Sequence, residues 1–432
     1  MQNIMETEHL YTLYQAHPII TTDSRQCTPG ALFFALKGEN FNGNRFASRA
    51  LEAGCAYAIV DEAQYATDER IILVDDCLKA LQQLARHHRR TLGLPVIGIT
   101  GTNGKTTTKE LTAACLSRKY HILATQGNLN NHIGVPLTLL QLTAAHEIAV
   151  IEMGASHPGD IRELVDIAEP DYGIITNVAK AHLQGFGSFE GVIRTKCELY
   201  DYLREHQGHI FIQHENSFLQ PRSQGIEKTE YGTAEKLYIS GRVTGCSPFL
   251  AFEIQFNGTS GMSVQTQLIG SYNLPNALAA AAIATRFGVS PEQIKTAIET
   301  YIPQNKRSQL QKTADNTLII DAYNANPASM EAALNNFMEM KAPAKAVILG
   351  NMGELGTGSV AEHQKIIEKL EKAGFDKVLL SGGEFCKTTT SFPCYPDTDA
   401  LLQELQEHPL KGYTILIKGS RSTRLEQCIE WL

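Results

Sequence analysis

The sequence predicts an α/β protein made of three consecutive domains. Three observations carry this. Short β-branched runs end in glycine or a polar residue, helical spacings follow them at once, and the texture changes near residues 88 and 303. At 432 residues the chain is long enough for several separate cores. Its 43% hydrophobic and 19% charged residues describe a folded chain rather than a disordered one.

Residues 1–88 hold the apolar runs "ALFFAL", "AYAIVDE" and "RIILVDD", interrupted by the turn-rich "KGENFNGNRF", and predict a small α/β module. The helical "LKALQQLARHHRR" leads out of it, and Pro95 starts the next unit. Residues 89–303 turn to strand, loop and helix. "PVIGITG" is a buried parallel strand closed by glycine, and Leu111, Ala114 and Cys115 then fall at helical spacing. "EIAVIEMGA" and "DYGIITNV" are further buried strands, whereas "GHIFIQ", "KLYISGRV" and "LAFEIQF" are polar and alternating and predict antiparallel pairing. "NLPNALAAAAIATRFG" is a helix with Asn273 or Leu274 near its cap, Pro275 in its first turn and Gly288 closing it. In residues 304–432 the strands "TLIIDAYN", "AVILGNM", "KVLLSGG" and "YTILIKGS" alternate with helices around "MEAALNNFMEM" and "HQKIIEKLEKAG". That alternation predicts a Rossmann-like parallel sheet with helices on both faces.

Several functions are disfavoured. The 38 basic and 46 acidic residues give −8, too acidic for a duplex-binding surface, so the run Arg86-His87-His88-Arg89-Arg90 reads as a solvated helix end or an interdomain link. "MQNIMETEHLY" lacks the basic start and apolar core of a signal peptide, and no apolar run reaches the roughly 18–20 residues that span a bilayer. The nine cysteines include no Cys-x-x-Cys pair, so neither a zinc knuckle nor a disulfide framework is expected. A cytoplasmic monomer without nucleic acid or membrane span is the expectation.

The chemistry concentrates where "VIGIT" meets Gly101-Thr102-Asn103-Gly104-Lys105-Thr106. A strand running through a glycine-rich loop into a helix puts backbone N–H groups and a positive helix end at one point, where phosphate oxygens can sit. Lys105 would bridge the β and γ phosphates and the Thr106 hydroxyl would reach Mg²⁺, with Thr107 next in line. The strict phosphate-loop pattern asks for a further glycine where this chain has Ile99. An ordinary strand–helix turn is the plainer alternative. GTPases add an Asn-Lys-x-Asp guanine reader, which is absent. Glu152 closes "IAVIEMGA", where a carboxylate can hold a cation. His182 and Lys196 taken singly are no more than a structural histidine and a surface lysine.

Together, "TGTNGKTTTKE", "TQGNLNNHIGVPLTLL", "IEMGASHPGDI", "ITNVAKAHLQGFGS" and the lysine of "RTKCEL", in this order, resemble the Mur ligases, ATP-dependent amide-bond formers of peptidoglycan precursor synthesis. In that family the loop begins at the second glycine, here Gly101. The match extends through "GSYNLPNALAAAA", "IIDAYNANPASM", "LGNMGELGTGSVAEHQKI" and "IKGSRSTRLE", from about Asp23 to Glu426. The later motifs are similar to the branch that adds D-alanyl-D-alanine to UDP-N-acetylmuramoyl-tripeptide, and "TTDSRQCTPGALFFALKGENFNGNRF" to its sugar-nucleotide module. Two departures stand out: Asn42-Gly43-Asn44 where the family has Asp-Gly-His, and Asn351 where it has Asp.

The resemblance implies a mechanism. A tripeptide carboxylate attacks the γ-phosphate of ATP to give an acyl phosphate, which the dipeptide amine then opens. It implies one Mg²⁺ at Thr106, a second held by Glu152 and His182, and a carbamylated Lys196 that ligates as an anion. Lys105, Glu152, His182 and Lys196 are then the catalytic set, and Gly101 through Thr107 the phosphate cradle. Asn273 and Asn276 would lie near the base, with Arg307 at the γ-phosphate and Asp321 at the ribose. Ser24 and Arg25 would meet the uridine end, Asn128 and Asn131 the peptide arm, and Asn324 and Asn326 the dipeptide. As an alternative to a base contact, Asn273 caps its helix. The plainer alternative for Asn128 and Asn131 is that they satisfy turn backbone. Implied domains are 1–88 for the UDP-sugar, 89–303 for ATP and 304–432 closing on ATP. The rivals are a third-residue-adding ligase, whose Asp-Asn-Pro-Arg motif is absent, a folylpolyglutamate synthase-like enzyme, and an ATP-hydrolysing switch without ligation. Whether the tripeptide ends in diaminopimelate or lysine stays open.

Overall fold

The structure, a computed structural model, describes residues 6–258, 260–303 and 307–432. Near the N-terminus, strands β1 (Ile20–Thr21), β2 (Leu32–Phe34), β3 (Tyr57–Val60) and β4 (Ile71–Leu73) form a parallel sheet in the order β1-β2-β3-β4. Leu32, Phe33 and Phe34 are all buried, as the unbroken apolar run of a strand covered on both faces requires.

The central sheet has nine strands: β5 (Val96–Thr100), β6 (Ile122–Ala124), β7 (Ile148–Glu152), β8 (Tyr172–Ile175), β9 (His209–Gln213), β10 (Glu227–Gly232), β11 (Ile239–Cys246), β12 (Phe249–Phe256) and β13 (Met262–Ile269). Their order is β13-β12-β11-β10-β9-β8-β5-β7-β6. The antiparallel expectation holds for β11 with β12, a pairing that β13 continues, but fails for β9, which pairs parallel with β10. Four of the five β9 residues are buried, so "HIFIQ" behaves as an interior strand in spite of its polar ends.

The third sheet joins β14 (Gln309–Lys312), β15 (Thr317–Asp321), β16 (Lys345–Gly350), β17 (Lys377–Ser381), β18 (Cys394–Tyr395) and β19 (Thr414–Lys418) in the order β14-β15-β19-β16-β17-β18. All its pairings are parallel except β14 with β15. Alternate side chains feed two cores. Ile319, Val347 and Leu349 pack with Leu334, Phe337 and Ile367, while Leu318, Ile320 and Ile348 pack with Leu401, Leu405 and Leu425. Helices Pro327–Glu339 and Ser359–Ala373 thus cover one face, and Thr398–Glu407 the other.

Contacts divide the chain into two compact units. One runs to Gly98 and adds Tyr120–Gly154 and Asp160–Tyr172; the other holds Ile99–Lys119, Ala155–Gly159 and everything from Gly173. The expected boundary at 303/304 lies at residues outside those described. Two smaller expectations are corrected. The basic run is a docked helix end rather than a solvated one. Arg86 and Arg90 bond Glu169, Arg89 reaches the Ala168 and Glu169 carbonyls and Asp171, and His88 is buried. Cys386 and Cys394 form a disulfide, because the chain returns from β17 through Gly383–Cys386 to β18, eight residues on.

Candidate active site

The turn after β5 is built so that backbone, not side chains, lines it. Gly101 has φ +142° and Gly104 φ +78°. A Cβ on Gly101 would lie 2.1 Å from Thr176 Oγ1, and one on Gly104 would lie 2.5 Å from Asn276 Oδ1. Only glycine fits either place. Asn177, just past β8, pins the loop: its carbonyl accepts from Thr102 N at 2.9 Å and its Oδ1 from Asn103 N at 3.0 Å. The Asn103 carbonyl accepts from Thr176 Oγ1 at 2.6 Å.

Helix Lys105–Leu116 starts at once, with Gly104 as N-cap and no side-chain cap. No side chain caps its first turn, which is the arrangement that binds anions. Lys105 Nζ donates to the carbonyls of Gly101 at 2.8 Å and Thr102 at 3.1 Å, so its charge is folded over the loop. Thr106 Oγ1 is buried with no hydrogen-bond partner, the condition a cation would relieve. Thr107 is half-buried on the same helix.

Glu152, the last residue of β7, is 1% exposed. Its Oε1 accepts from Asn130 Nδ2 at 2.8 Å and its amide donates to Thr125 Oγ1 at 2.9 Å, while Oε2 is buried without a partner. A buried carboxylate oxygen left unsatisfied is costly, and a divalent cation would satisfy it. Asn131 Oδ1 accepts from Ile133 N at 3.2 Å and from Gly134 N at 2.8 Å, bracing the turn that leads into helix Gly134–Leu139. Asn128 contributes its carbonyl to Asn130 N at 2.8 Å.

His182 heads the short helix Leu183–Phe186 with φ +49°. Burial, then the charges of Lys105, Lys196 and His157, push its pKa down to about 4. The Glu354 carboxylate against Nδ1 acts in the opposite sense. Burial is the first of the causes that lower the pKa, and a ring held low keeps a lone pair for a ligand. Lys196, on helix Phe189–Glu205, is 2% exposed; its Nζ donates to the Ala155 carbonyl at 3.4 Å and sits 5.5 Å from the Phe186 ring centre.

In the third sheet, Asp321 at the end of β15 is bonded by Lys418 Nζ at 2.5 Å. Lys418, buried at the end of β19, also reaches the Asn324 carbonyl at 3.3 Å. Arg307 stacks over Tyr323, 3.9 Å from the ring centre, and its Nε is buried and unpartnered. Asn324 Oδ1 accepts from Ala325 N at 2.9 Å. Asn326 caps helix Pro327–Glu339 through Ser329 N and donates to Asn103 Oδ1 at 2.8 Å, so it touches the phosphate loop itself. Asn273 sits at the N-cap of helix Leu274–Arg286, but its side chain does not cap. Its helical backbone turns the amide back to the Ile269 carbonyl and to Asn276 Nδ2, each at 2.9 Å. In the N-terminal module Arg25 is exposed and paired with Asp23 at 2.8 Å, and Ser24 is its neighbour.

Three family descriptions cover the chain: "Mur ligase family, catalytic domain" over residues 18–89, "Mur ligase middle domain" over 99–284, and "Mur ligase, glutamate ligase domain" over 306–421. The UDP-N-acetylmuramoyl-tripeptide–D-alanyl-D-alanine ligase of Escherichia coli (strain K12) is 36% identical over 423 residues, 96% of this chain and 93% of that protein. The chain belongs to the Mur ligase family. The Bacillus subtilis (strain 168) ligase of the same name is also 36% identical, over 95% of this Mur ligase and 92% of its own length. Among solved structures, MurF from Acinetobacter baumannii superposes with a TM-score of 0.87 at 30% identity, covering 99% of this chain and 98% of that one. MurF ligase from Thermotoga maritima in complex with ADP gives 0.87 at 26% identity, covering 96% and 97%. Folylpolyglutamate synthase from Mycobacterium tuberculosis, at 14% identity and 0.59 over 82% of this chain and 94% of that one, shares the fold alone.

The two departures of this Mur ligase from its family pattern sit on internal struts. Asn44 is fully buried and exchanges hydrogen bonds with Asp61, while Asn42 reaches Glu62 at 2.9 Å. Asn351 Oδ1 accepts from Phe385 N at 3.3 Å. Sequence reasoning passed over Asn130, Asn177, Glu354 and Lys418. All four lie in or beside motifs it quoted; a polar residue at or just past a strand end could have raised Asn177 and Lys418, whereas Asn130 and Glu354 lie well beyond the strands before them and carry no such signal.

Proposed function

We propose that this Mur ligase joins D-alanyl-D-alanine to UDP-N-acetylmuramoyl-tripeptide, consuming ATP and releasing ADP and phosphate, in cytoplasmic synthesis of the peptidoglycan precursor. The observation that carries the reading is the glycine-led loop, with no side-chain cap on the helix that follows and an unpartnered Thr106 hydroxyl, in a chain that aligns over 95–96% of its length with ligases of that name. The tripeptide carboxylate attacks the γ-phosphorus, ADP leaves, and the acyl phosphate is opened by the dipeptide amine through a tetrahedral intermediate that expels phosphate.

The first step brings two anions together, so the site must neutralise charge. Lys105 swings from the Gly101 and Thr102 carbonyls to the β and γ phosphates, and the amides of Gly101 to Thr107 cradle them. Arg307, whose Nε lacks a partner, meets the γ-phosphate. Asp321, oriented by Lys418, takes the ribose, and Asn273 and Asn276 border the base. Thr106, Glu152, His182 and carbamylated Lys196 are the residues that would hold Mg²⁺; the unsatisfied Thr106 and Glu152 oxygens fit that role. Among the described residues no group of three or more His, Cys, Asp or Glu side chains forms a metal cluster, so hydroxyl, carbamate and substrate oxygens would complete the ligation. Mg²⁺, when bound, supplies charge neutralisation between the phosphates and the carboxylate. Carbamylation answers a physical problem, since an ammonium as buried as that of Lys196 is expensive beside cations.

By the same reading residues 1–88 take the UDP-sugar through Ser24 and Arg25, 89–303 hold ATP and the peptide arm with Asn128 and Asn131, and 304–432 bring Asn324 and Asn326 toward the dipeptide. The enzyme acts as a monomer. No helix among the described residues is long and apolar enough to cross a membrane. The test is phosphate release with each substrate omitted in turn. Release that needs both UDP-N-acetylmuramoyl-tripeptide and D-alanyl-D-alanine supports the reading; release from ATP alone, or with diaminopimelate or lysine as amine, defeats it. Lys196→Ala should lose most turnover and regain part of it with millimolar bicarbonate or acetate.

A further inference from the structure

His182 and Glu354 lie 172 residues apart and meet side chain to side chain. His182 belongs to the segment after β8, and Glu354 to the loop that leaves β16 for helix Ser359–Ala373. Nδ1 of the imidazole is buried and, apart from the Glu354 carboxylate against it, has no hydrogen-bond partner. Both residues take left-handed backbone conformations unusual for side-chain-bearing residues, φ +49° at His182 and +60° at Glu354. Such conformations persist where the surroundings require them. The two segments also run near each other at a second point: a Cβ added to Gly356 would stand 3.8 Å from Gln184 Cβ.

A carboxylate on one ring nitrogen has a defined effect on a histidine ligand. It accepts the Nδ1 proton, fixes the tautomer and the ring plane, and leaves Nε2 as the nitrogen with a free lone pair. We propose that Glu354 is a positioning residue for the cation site: it locks His182 in the Nδ1–H tautomer and aims Nε2 at the metal. Because Glu354 comes from the third sheet, the C-terminal domain would tune a ligand that sits on the central one. This inference rests on the cation-site reading above and adds to it a residue that reading does not use.

The test is Mn²⁺ binding to the full-length protein, followed by electron paramagnetic resonance of free Mn²⁺ in the presence of a non-hydrolysable ATP analogue. Glu354→Ala should weaken the Mn²⁺ affinity by about 10–100-fold, the usual effect of removing a carboxylate behind a ligating histidine. Glu354→Asp should recover part of the loss, because the carboxylate rather than the side-chain bulk is what matters. Metal-free ADP affinity should match wild type in both variants, which certifies the fold. His182→Ala is the reference. If it weakens Mn²⁺ binding and Glu354→Ala does not, the positioning role is overturned while the cation site stands. If neither variant changes the affinity, the assignment of His182 falls and this inference falls with it.

Discussion

Gly101→Ala tests whether the phosphate loop depends on the glycine that this chain places second. The new methyl would stand 2.1 Å from Thr176 Oγ1, 3.0 Å from Thr176 N and 3.2 Å from Asn177 N. The hydroxyl could rotate away. The two backbone nitrogens cannot, because the Thr176 amide is bonded to the Thr100 carbonyl between neighbouring strands. Overpacking costs about 1–3 kcal/mol, and holding alanine at φ +142° adds about 1–3 kcal/mol. The sum is about 2–6 kcal/mol. It would appear in urea melts if the loop holds its shape, or as lost ATP-dependent phosphate release if the loop gives way. Gly127→Ala is the matched control: φ is +54°, no atom lies within 4 Å of the added carbon, and only the left-handed penalty of about 1–2 kcal/mol applies. Equal melts and equal turnover for the two variants would refute the argument, since backbone conformation alone would then account for both.

Three further outcomes are expected. Lys418→Met strips the partner from Asp321 and should cost about 3 kcal/mol in urea unfolding, and adding Asp321→Asn should return part of that loss; strict additivity would show that the pair is not coupled. Arg89→Met takes its guanidinium from the Ala168 and Glu169 carbonyls, while Asp171 keeps the Val96 amide, and should cost about 2 kcal/mol, whereas Arg162→Met, an exposed pair with Asp166, should stay within about 0.5 kcal/mol. Burial alone would raise the Glu169 carboxyl, yet Arg90 and Arg86 outweigh it and hold it below its ordinary 4.5. Its contribution to stability is therefore complete above pH 4.5 and lost as pH falls through the lower folded value. The gap between wild type and Glu169→Gln in denaturant melts should narrow below that pH and stay constant above it.

Much of the fold was legible because period and punctuation are local. Val96–Thr100 and Lys345–Gly350 are continuous apolar runs that end at glycines, and each became a buried strand followed by loop and helix. The β9 strand misled because polar residues at its ends gave it an alternating look, while its place in the sheet interior is a long-range fact. The site divides the same way. Gly101 to Thr106 and Glu152 announce themselves through strand ends and glycine spacing. Asn130 could not, since one asparagine among the three of "GNLNNHIG" is singled out only when its amide meets Glu152. Glu354, Lys418 and Asn326 acquire their roles from partners 97 to 223 residues distant along the chain, or from a loop that touches another. Periodicity carries no record of such partners. The Cys386–Cys394 link was missed for a related reason: a spacing of eight fits no cysteine motif and is decided by the return path of the backbone.

The link from phosphate loop to helix Pro327–Glu339 through Asn103 and Asn326 consists of two uncharged amides. Ion pairs in that position would weaken as dissolved salt rises, because charges a Debye length of about 8 Å apart are already screened at physiological ionic strength. They would also push against, or cling to, the polyanion that the loop is shaped to receive. Amides do neither. The grip between these two parts is electrically silent, and should therefore be as firm in dilute buffer as in a concentrated cell interior, with or without nucleotide beside it.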